Sequence, residues 1–324
     1  MRVASFFAGV GGIDRGFKNA GFDVVWANEF DKSAAITYQR NFDNKLVVDD
    51  IRSVLAKDIP DFDIMIGGFP CQAFSVAGLR KGFEDERGNL FFELERIFRE
   101  KTPQVIFLEN VKNLVGHDNG NTFRVILQRL KAEGYHVKKA VLNASEYGNL
   151  PQNRERIYIV AFLDKEAYRE FEFPEPVQLT NKLCDFIEYD VKQEDKYYYT
   201  KENCRFYDEL KNCVVNPDTT YQWRRVYVRE NKSNLCPTLT ANMGMGGHNV
   251  PIIYTEMGIR KFTPRECFNM MGYDKEYKLP EEMANTHLYK QAGNSVAVPV
   301  IERIAEEING ALKRAEKYKE KIAV

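Results

Sequence analysis

Cys71 lies in the segment GGFPCQ of residues 67–72, which directly follows the apolar run of residues 64–66. We interpret that run as a buried strand, and parallel sheets bind ligands at the carboxyl ends of their strands. A thiolate is a strong nucleophile, but a thiol needs cationic or dipolar help to ionise. The alternative is a small buried apolar side chain, the usual place of a free cysteine. Position alone leaves the two interpretations open.

A carboxylate is expected at the same sheet edge as this thiol. Glu109 follows the apolar run of residues 105–108 and begins the sequence ENV. A partly desolvated carboxyl group there could donate a proton to a substrate. Acidic residues are common at strand ends, so Glu109 gains its interest from the predicted proximity of Cys71.

Two guanidinium groups occur in the segment QNRER of residues 152–156. Arg154 and Arg156 would point to the same side of an extended chain. Arginine can bind a carboxylate through two hydrogen bonds and can also hydrogen-bond a base. A solvated surface pair is the alternative interpretation of an isolated RER.

A glycine-rich turn, FAGVGG at residues 7–12, follows the first predicted strand and begins a helix. Glycines let the backbone approach a ligand closely. Asp14 stands where a dinucleotide fingerprint would need a glycine, and its charge disfavours a pyrophosphate. Glu29 and Asp50 end the next two strands, where a carboxylate can accept ribose hydroxyl groups. The combination favours a nucleoside cofactor without phosphates, namely S-adenosylmethionine; a plain tight turn with solvated acids is the alternative.

Metal and histidine chemistry has little support in the sequence. The four histidines, at positions 117, 136, 248 and 287, are far apart, and the six cysteines form no CxxC. We therefore expect no metal site. A cysteine protease or a zinc deaminase is disfavoured for the same reason. Since the sequence has no export signal, we also expect the thiols to stay reduced.

Short apolar runs alternate with amphipathic stretches over the first 165 residues. Strands are predicted at residues 3–7, 24–27, 46–48, 64–66, 105–108 and 157–162. Two helices are predicted from apolar residues at helical spacing, one from Phe91 to Phe98 and one from Phe123 to Leu130, with Asp31 and Thr122 as candidate N-caps. This alternation predicts an α/β fold with a mostly parallel, doubly wound, Rossmann-like sheet.

The alternation of apolar runs with amphipathic stretches ends near residues 171–176. Residues 181–285 are irregular, polar and tyrosine-rich, so we predict a smaller domain there, and one larger domain from residues 1–180 plus 286–324. A helical stripe of Ile301, Ile304, Ala305, Ile308 and Leu312 could pack on the larger domain.

Composition excludes several classes of protein. The chain has 324 residues, with 44% hydrophobic and 29% charged residues, which is typical of a folded protein. No apolar run approaches the roughly 18 residues that a membrane span needs. The net charge of -1 excludes a uniformly basic nucleic-acid coat protein but allows a local basic cleft. We expect a cytoplasmic monomer.

The motifs PCQ, ENV and RER, in this order, resemble those of the DNA (cytosine-5)-methyltransferase family, especially the bacterial modification methylases of restriction-modification systems. The resemblance covers nearly the whole chain and is specific as a set. It rests on residues 7–12, 28–29, 50–51, 68–72, 109–111, 152–156, REC at 265–267 and QAGNSV at 291–296.

The resemblance implies covalent catalysis with electrostatic support and no metal. The Cys71 thiolate would add to carbon 6 of cytosine, so that carbon 5 can attack the methyl group of the sulfonium. Glu109 would hydrogen-bond or protonate ring nitrogen 3, Arg156 would contact the exocyclic oxygen, and Arg154 would hold Glu109 in place. Loss of the carbon 5 proton and elimination of Cys71 would then release 5-methylcytosine.

The same resemblance implies a pocket for S-adenosylmethionine. The family often has tryptophan at position 30, and Phe30 keeps a ring that can stack on adenine. The implied lining residues are Phe7, Gly9, Gly11, Glu29, Phe30, Asp50, Ile51, Pro70, Leu90, Asn294 and Val296.

Double-stranded DNA is the implied partner, and a restriction endonuclease acting on the same site could accompany the enzyme. The target cytosine must leave the helix, because carbon 6 is not accessible within the base stack. Residues 75–88 resemble the loop that closes over DNA, and residues 238–248 resemble the core of the target-recognition region. The implied DNA contacts are Gln72, Ser75, Arg87, Arg224, Arg225, Arg229 and Thr238.

Three alternatives remain open. A tRNA methyltransferase of the same lineage shares PCQ and ENV, but its typical Cys-Phe-Thr signature is not found here. A catalytically silent DNA-binding module is disfavoured by Cys71, Glu109 and Arg156. A nicotinamide oxidoreductase is disfavoured by Asp14.

Overall fold

Two units make up the fold of the computed structural model, which describes residues 1–70, 90–231, 233–245 and 249–322. The first unit comprises Met1–Leu142, Glu155–Glu175 and Val298–Val324, and the second comprises Asn143–Arg154 and Pro176–Ala297. The boundaries differ from those predicted. Residues 143–154, 176–180 and 286–297 belong to the second unit.

The strands and helices have the following bounds in chain order. The strands are β1 (Arg2–Phe6), β2 (Asp23–Glu29), β3 (Lys45–Val48), β4 (Ile64–Gly67), β5 (Val105–Val111), β6 (His136–Asn143), β7 (Gln152–Asn153), β8 (Glu155–Phe162), β9 (Tyr221–Trp223), β10 (Val228–Glu230), β11 (Cys236–Pro237), β12 (Ile252–Thr255) and β13 (Gly258–Lys261). The helices are α1 (Gly12–Asn19), α2 (Lys32–Gln39), α3 (Leu90–Lys101), α4 (Asn121–Ala132), α5 (Ala144–Tyr147), α6 (Lys165–Glu170), α7 (Tyr207–Cys213), α8 (Pro264–Asn269), α9 (Asn285–Asn294) and α10 (Val298–Ile322).

A seven-stranded sheet in the order β3-β2-β1-β4-β5-β8-β6 forms the centre of the first unit. Strands β1 to β5 pair in parallel, whereas β8 runs antiparallel to β5. Residues 105–108 are completely buried, as continuous apolar strands covered on both faces should be. The predicted mostly parallel α/β fold is confirmed.

Helices of the first unit follow the apolar spacing read from the sequence. Phe91, Leu94, Ile97 and Phe98 are all buried on α3, and Asp31 caps α2 by accepting from the amides of Ser33 and Ala34. The prediction of Thr122 as a cap is wrong. Helix α4 begins two residues earlier than predicted, at Asn121, after Gly120 in a left-handed conformation, and the Thr122 hydroxyl is hydrogen-bonded to His117 Nδ1 instead.

The long helix α10 packs against α1. Ile301, Ile304, Ala305 and Ile308 of the predicted stripe are buried, and Leu312 is half-buried. A Cβ atom at Gly16 of α1 would lie 2.6 Å from Ile301 Cγ2, so the two helices approach at a glycine. No helix in the described parts of the chain is both long enough and apolar enough to span a membrane.

Short strands build the second unit. Strands β10, β9, β12 and β13 form an antiparallel sheet in that order, and β11 pairs in parallel with β7. A separate apolar cluster supports the sheet; its members are Cys204, Phe206, Leu210, Val214, Tyr221, Ile252 and Ile259. A buried ion pair between Arg260 and Glu266, 2.7 Å apart, joins β13 to the capping box that begins α8.

Candidate active site

The carboxyl ends of the parallel strands and the start of β8 lie at one edge of the first unit's sheet. Because β8 is antiparallel to β5, Val111 at the end of β5 pairs with Arg156 at the beginning of β8. An arginine at the beginning of an antiparallel strand thereby reaches the same edge as residues at the ends of the parallel strands. The edge is where α/β sheets bind ligands.

Glu109 and Arg156 form an ion pair at this edge. Arg156 Nε lies 3.1 Å from Glu109 Oε1, and the two side chains are only 12% and 11% exposed. Gly68 at the end of β4 leaves room for the carboxylate, since a Cβ atom there would lie 3.3 Å from Glu109 Oε2. The pair is therefore poorly solvated, so removing either partner would leave a costly unpaired charge.

Asn110 is a positioning residue that the sequence motif did not single out. Its Nδ2 donates to the carbonyl of Phe69 at 2.7 Å, and its Oδ1 accepts from the amide of Val111 at 2.8 Å. These bonds fix the backbone two residues before position 71. The available signal was an amide side chain that directly follows the buried run of residues 105–108 and Glu109.

The glycine-rich turn and Glu29 are joined by hydrogen bonds. Gly9 donates its amide to Glu29 Oε2 at 2.7 Å, and the amide of Asp31 donates to Glu29 Oε1 at 2.6 Å. Phe7, Gly9 and Gly11 all have positive φ angles, of 54°, 57° and 79°. Burial raises the pKa of the Glu29 carboxyl group, opposed by these amides. The strained turn thus presents backbone amides beside a carboxylate.

The space around two glycines of the turn is given by the distance from an added Cβ atom to its nearest neighbours. At Gly9 it would meet nothing within 4 Å, whereas at Gly11 it would lie 2.2 Å from Phe42 Cε2. Gly9 consequently faces open space, and Gly11 is required by packing as well as by its φ angle.

Asp50 and Phe30 lie at the ends of the neighbouring strands. The buried Asn28 donates to the carbonyls of Val47 and Asp49, which aligns the ends of β2 and β3. Hydrogen bonds from Arg52 lower the pKa of Asp50. Phe30 is 69% exposed, and Ile51 is buried. Carboxylates, backbone amides and an exposed ring fit the hydroxyl groups and the planar base of a nucleoside.

The Asp14 side chain lies in the interior of the first unit. Its carboxylate is completely buried, and it accepts hydrogen bonds from Ser5 Oγ at 2.9 Å and from the Tyr38 hydroxyl at 2.7 Å. Burial is the largest influence on this group and raises its pKa from 3.8 to about 6. Asp14 therefore ties β1 and α2 to α1 beneath the turn.

Asp14→Asn is expected to change how stability depends on pH. The folded protein binds the Asp14 proton at a higher pH than the unfolded chain, so stability falls as pH rises from about 4 to about 6. The loss over this window is on the order of 3 kcal/mol in the wild type and absent in the variant. Urea unfolding at several pH values measures the unfolding free energy, with Asp61→Asn, at an exposed position, as control. If the unfolding free energy depended on pH equally in the wild type and both variants, the prediction would be contradicted.

The other predicted residues are distributed as follows. Leu90 begins α3 half-buried, Pro70 is exposed, and in the second unit Asn294 is exposed and Val296 is buried. Arg154 is also in the second unit; its described hydrogen bonds go to the carbonyls of Leu239, Gly293 and Ser295. Arg156 ion-pairs with Glu109, and the predicted role of Arg154 in holding Glu109 stays a prediction. Cys71, Gln72, Ser75 and Arg87 lie outside the described residues.

A basic hairpin stands out in the second unit. Strands β9 and β10 are joined by residues 224–227, closed by a bond from the Arg224 amide to the Tyr227 carbonyl at 2.9 Å. Arg224, Arg225 and Arg229 are exposed, and within the described ranges none has an ion-pair partner. Trp223 stacks on Phe206 at 4.0 Å, which anchors the base of this hairpin. Thr238 donates its hydroxyl to the Asn153 carbonyl at 2.5 Å.

Among the described residues, no group of three histidine, cysteine or carboxylate side chains could hold a metal ion. The groups that lie at the sheet edge are the ion pair of Glu109 with Arg156 and the glycine-rich turn, whose Gly9 amide is hydrogen-bonded to the Glu29 carboxylate.

Comparison with known proteins identifies the class. Residues 1–310 match the family model described as C-5 cytosine-specific DNA methylase. The Type II methyltransferase M.Bsp6I of Bacillus sp. (strain RFL6) is 63% identical over 310 residues, which are 95% of this chain and 98% of that protein. M.HhaI of Haemophilus parahaemolyticus is 38% identical, over 96% of this chain and 95% of that protein.

A solved structure agrees on the fold. The crystal structure of S. pombe Dnmt2 methyltransferase has a TM-score of 0.74, at 19% identity, and covers 96% of this chain and 99% of that one. The chain belongs to the C-5 cytosine-specific DNA methylase family. It is accordingly a DNA (cytosine-5)-methyltransferase, as the motifs predicted.

Proposed function

We propose that this enzyme methylates carbon 5 of one cytosine within a specific double-stranded DNA site, through a covalent Cys71 adduct, as the modification enzyme of a restriction-modification system. The observation that carries the chemistry is the Glu109–Arg156 pair at the sheet edge, 3.1 Å apart. The restriction-modification role is supported by the similarity to Type II methyltransferases.

Each residue has a defined part in the chemistry. The Cys71 thiolate bonds to carbon 6, and the displaced electron pair moves toward carbon 5, while Glu109, which first takes up a proton from water, donates that proton to nitrogen 3. Arg156 holds Glu109 and hydrogen-bonds the exocyclic oxygen, which stabilises the negative charge that develops during addition. Once carbon 5 is methylated, its proton leaves to water, the double bond re-forms, the thiolate departs and the nitrogen 3 proton returns to Glu109.

The cytosine must be flipped out of the duplex for this addition. Flipping costs a few kcal/mol, which contacts in the pocket offset. Asn110 supports the same step, because its bond to the Phe69 carbonyl holds the backbone that leads into Cys71. We also propose that Gln72, Ser75 and Arg87, which follow Cys71 in the chain, contact the DNA.

S-adenosylmethionine is the proposed methyl donor, and when bound it supplies an electrophilic methyl group. Glu29 would accept the ribose hydroxyl groups, and the exposed Phe30 ring would cover the adenine. The remaining residues proposed to hold it are Phe7, Gly9, Gly11, Asp50, Ile51, Pro70, Leu90, Asn294 and Val296.

The first unit is proposed to catalyse methyl transfer, and the second to recognise the target. We propose that the enzyme acts as a cytoplasmic monomer, with an endonuclease of the same specificity as its genetic companion. The deciding experiment methylates plasmid DNA in vitro and maps 5-methylcytosine by bisulfite sequencing. Methylation at one recurring sequence supports the proposal; methylation of tRNA but not of DNA would overturn it.

Arg224→Gln and Arg225→Gln are expected to weaken DNA binding and to reduce its salt dependence. Both side chains are exposed on the basic hairpin, where they can neutralise phosphates. Each lost phosphate contact should lower the slope of log K against log salt by about 0.9. Binding titrations between low and moderate salt measure the slope, and Lys211→Gln, an exposed lysine of the same unit on α7, is the control. An unchanged slope in both arginine variants would place the DNA-binding surface elsewhere.

A further inference from the structure

Arg154 is buried in the second unit, with 2% of its surface exposed. Its Nη1 donates to the Leu239 carbonyl at 2.8 Å, and its Nη2 donates to the carbonyls of Gly293, at 3.2 Å, and Ser295. One guanidinium thus binds carbonyls from two segments that are more than fifty residues apart in sequence. Arginine suits this place because its donors are held in one rigid plane.

The first of these segments, residues 238–240, contains the proposed DNA contact Thr238 and is called the Thr238 segment. The Thr238 hydroxyl donates to the carbonyl of Asn153, the neighbour of Arg154. The Leu239 amide donates to Gln152 Oε1 at 3.3 Å, and β11 pairs with β7. The Thr238 segment is therefore fastened to residues 152–154 through main chain and side chains together.

The second segment contains the proposed cofactor residue Asn294. The carbonyls that Arg154 binds are those on either side of it, at Gly293 and Ser295. The two segments also touch directly, because a Cβ atom at Gly293 would lie 2.1 Å from the carbonyl carbon of Thr240. No side chain separates them, so a shift of one backbone must move the other.

We infer that Arg154 is a positioning residue that couples DNA binding to cofactor binding. The inference rests on the proposed function, which assigns Thr238 to DNA and Asn294 to the cofactor. A ligand that orders one segment fixes the guanidinium plane, and the fixed plane orders the other segment in advance. Coupling of this kind is reciprocal, so each ligand must raise the affinity of the other by the same factor.

The test measures this factor in the full-length enzyme. The dissociation constant of a duplex carrying the mapped target site is determined with and without S-adenosylhomocysteine, and that of S-adenosylhomocysteine with and without the duplex. We expect a coupling factor of about 10 in the wild type. Arg154→Lys keeps the charge but loses the planar set of donors, and we expect its factor to fall to nearly 1.

Arg260→Lys is the matched control. Arg260 is a second fully buried arginine of the same unit, but it is ion-paired with Glu266 and bonds neither the Thr238 nor the Asn294 segment. The Arg260→Lys variant should lose thermal stability while keeping the wild-type coupling factor between DNA and S-adenosylhomocysteine. Wild-type coupling in Arg154→Lys, equal loss of coupling in Arg260→Lys, or a wild-type factor of 1 overturns the inference.

A second variant keeps the test decisive if Arg154→Lys shows no cooperative thermal transition. Gln152→Met removes the amide that accepts from Leu239 but retains Arg154, and it should lower the factor at least threefold; an unchanged factor overturns the inference. Failure of the proposed function looks different, because the wild type itself would then bind neither the duplex nor S-adenosylhomocysteine.

Discussion

Cys71→Ser is expected to reduce methyl transfer by about 1,000-fold or more, while S-adenosylhomocysteine binding changes little. A serine hydroxyl ionises far less readily than a thiol, so the bond to carbon 6 does not form at a useful rate. Loss of the group that forms a covalent intermediate has effects of at least this size in other enzymes. Single-turnover transfer of a labelled methyl group to the mapped duplex measures the effect.

The covalent step has its own readout. A duplex with 5-fluorocytosine at the target position cannot lose a carbon 5 proton, so the wild type should be trapped as a complex that survives denaturation. Cys71→Ser should form none, and Cys213→Ser, which changes an exposed thiol of the second unit, should react like the wild type. Normal turnover by Cys71→Ser, or the absence of any wild-type adduct, would refute the nucleophile assignment.

Glu109→Gln is expected to have the second-largest effect, a fall in kcat of about 100- to 1,000-fold. The amide cannot give a proton to nitrogen 3, and it replaces a charge-assisted partner of Arg156 by a neutral one. Unfolding free energy should fall by about 2 kcal/mol, because a hydrogen bond to a charged group is weakened. Single-turnover rates and urea unfolding separate the two effects.

Glu95→Gln is the matched control for Glu109→Gln. Glu95 is also a buried glutamate of the first unit with an arginine partner, since Arg129 Nη1 lies 3.6 Å from its Oε1. It is on α3, away from the strand ends, so its substitution should cost stability without lowering kcat. If the two variants lose the same fraction of activity, Glu109 acts only through folding and the proton-donor role is wrong.

Much of the first unit could be predicted because its signals are local. Buried strands appear as apolar runs, and the helical spacing of Phe91 to Phe98 specified the inner face of α3. The apolar runs also predicted that Glu29 ends the second strand, and Glu29 is the last residue of β2; its hydrogen bond from the Gly9 amide was not predicted. Thr122 was misread because Gly120 begins the helix through a positive φ angle, which sequence alone does not reveal.

The sequence by itself determined the family and the mostly parallel sheet, because these depend on residue types and on spacing along the chain; the reacting groups stay a proposal from the same motifs. Only the tertiary structure showed that Arg156 forms an ion pair with Glu109. The reversal of β8 brings Arg156 opposite the end of β5, while Arg154, two residues earlier, bonds the carbonyls of the second unit. Strand direction and unit boundaries arise from packing between distant segments, and a spacing of two residues contains no information about either.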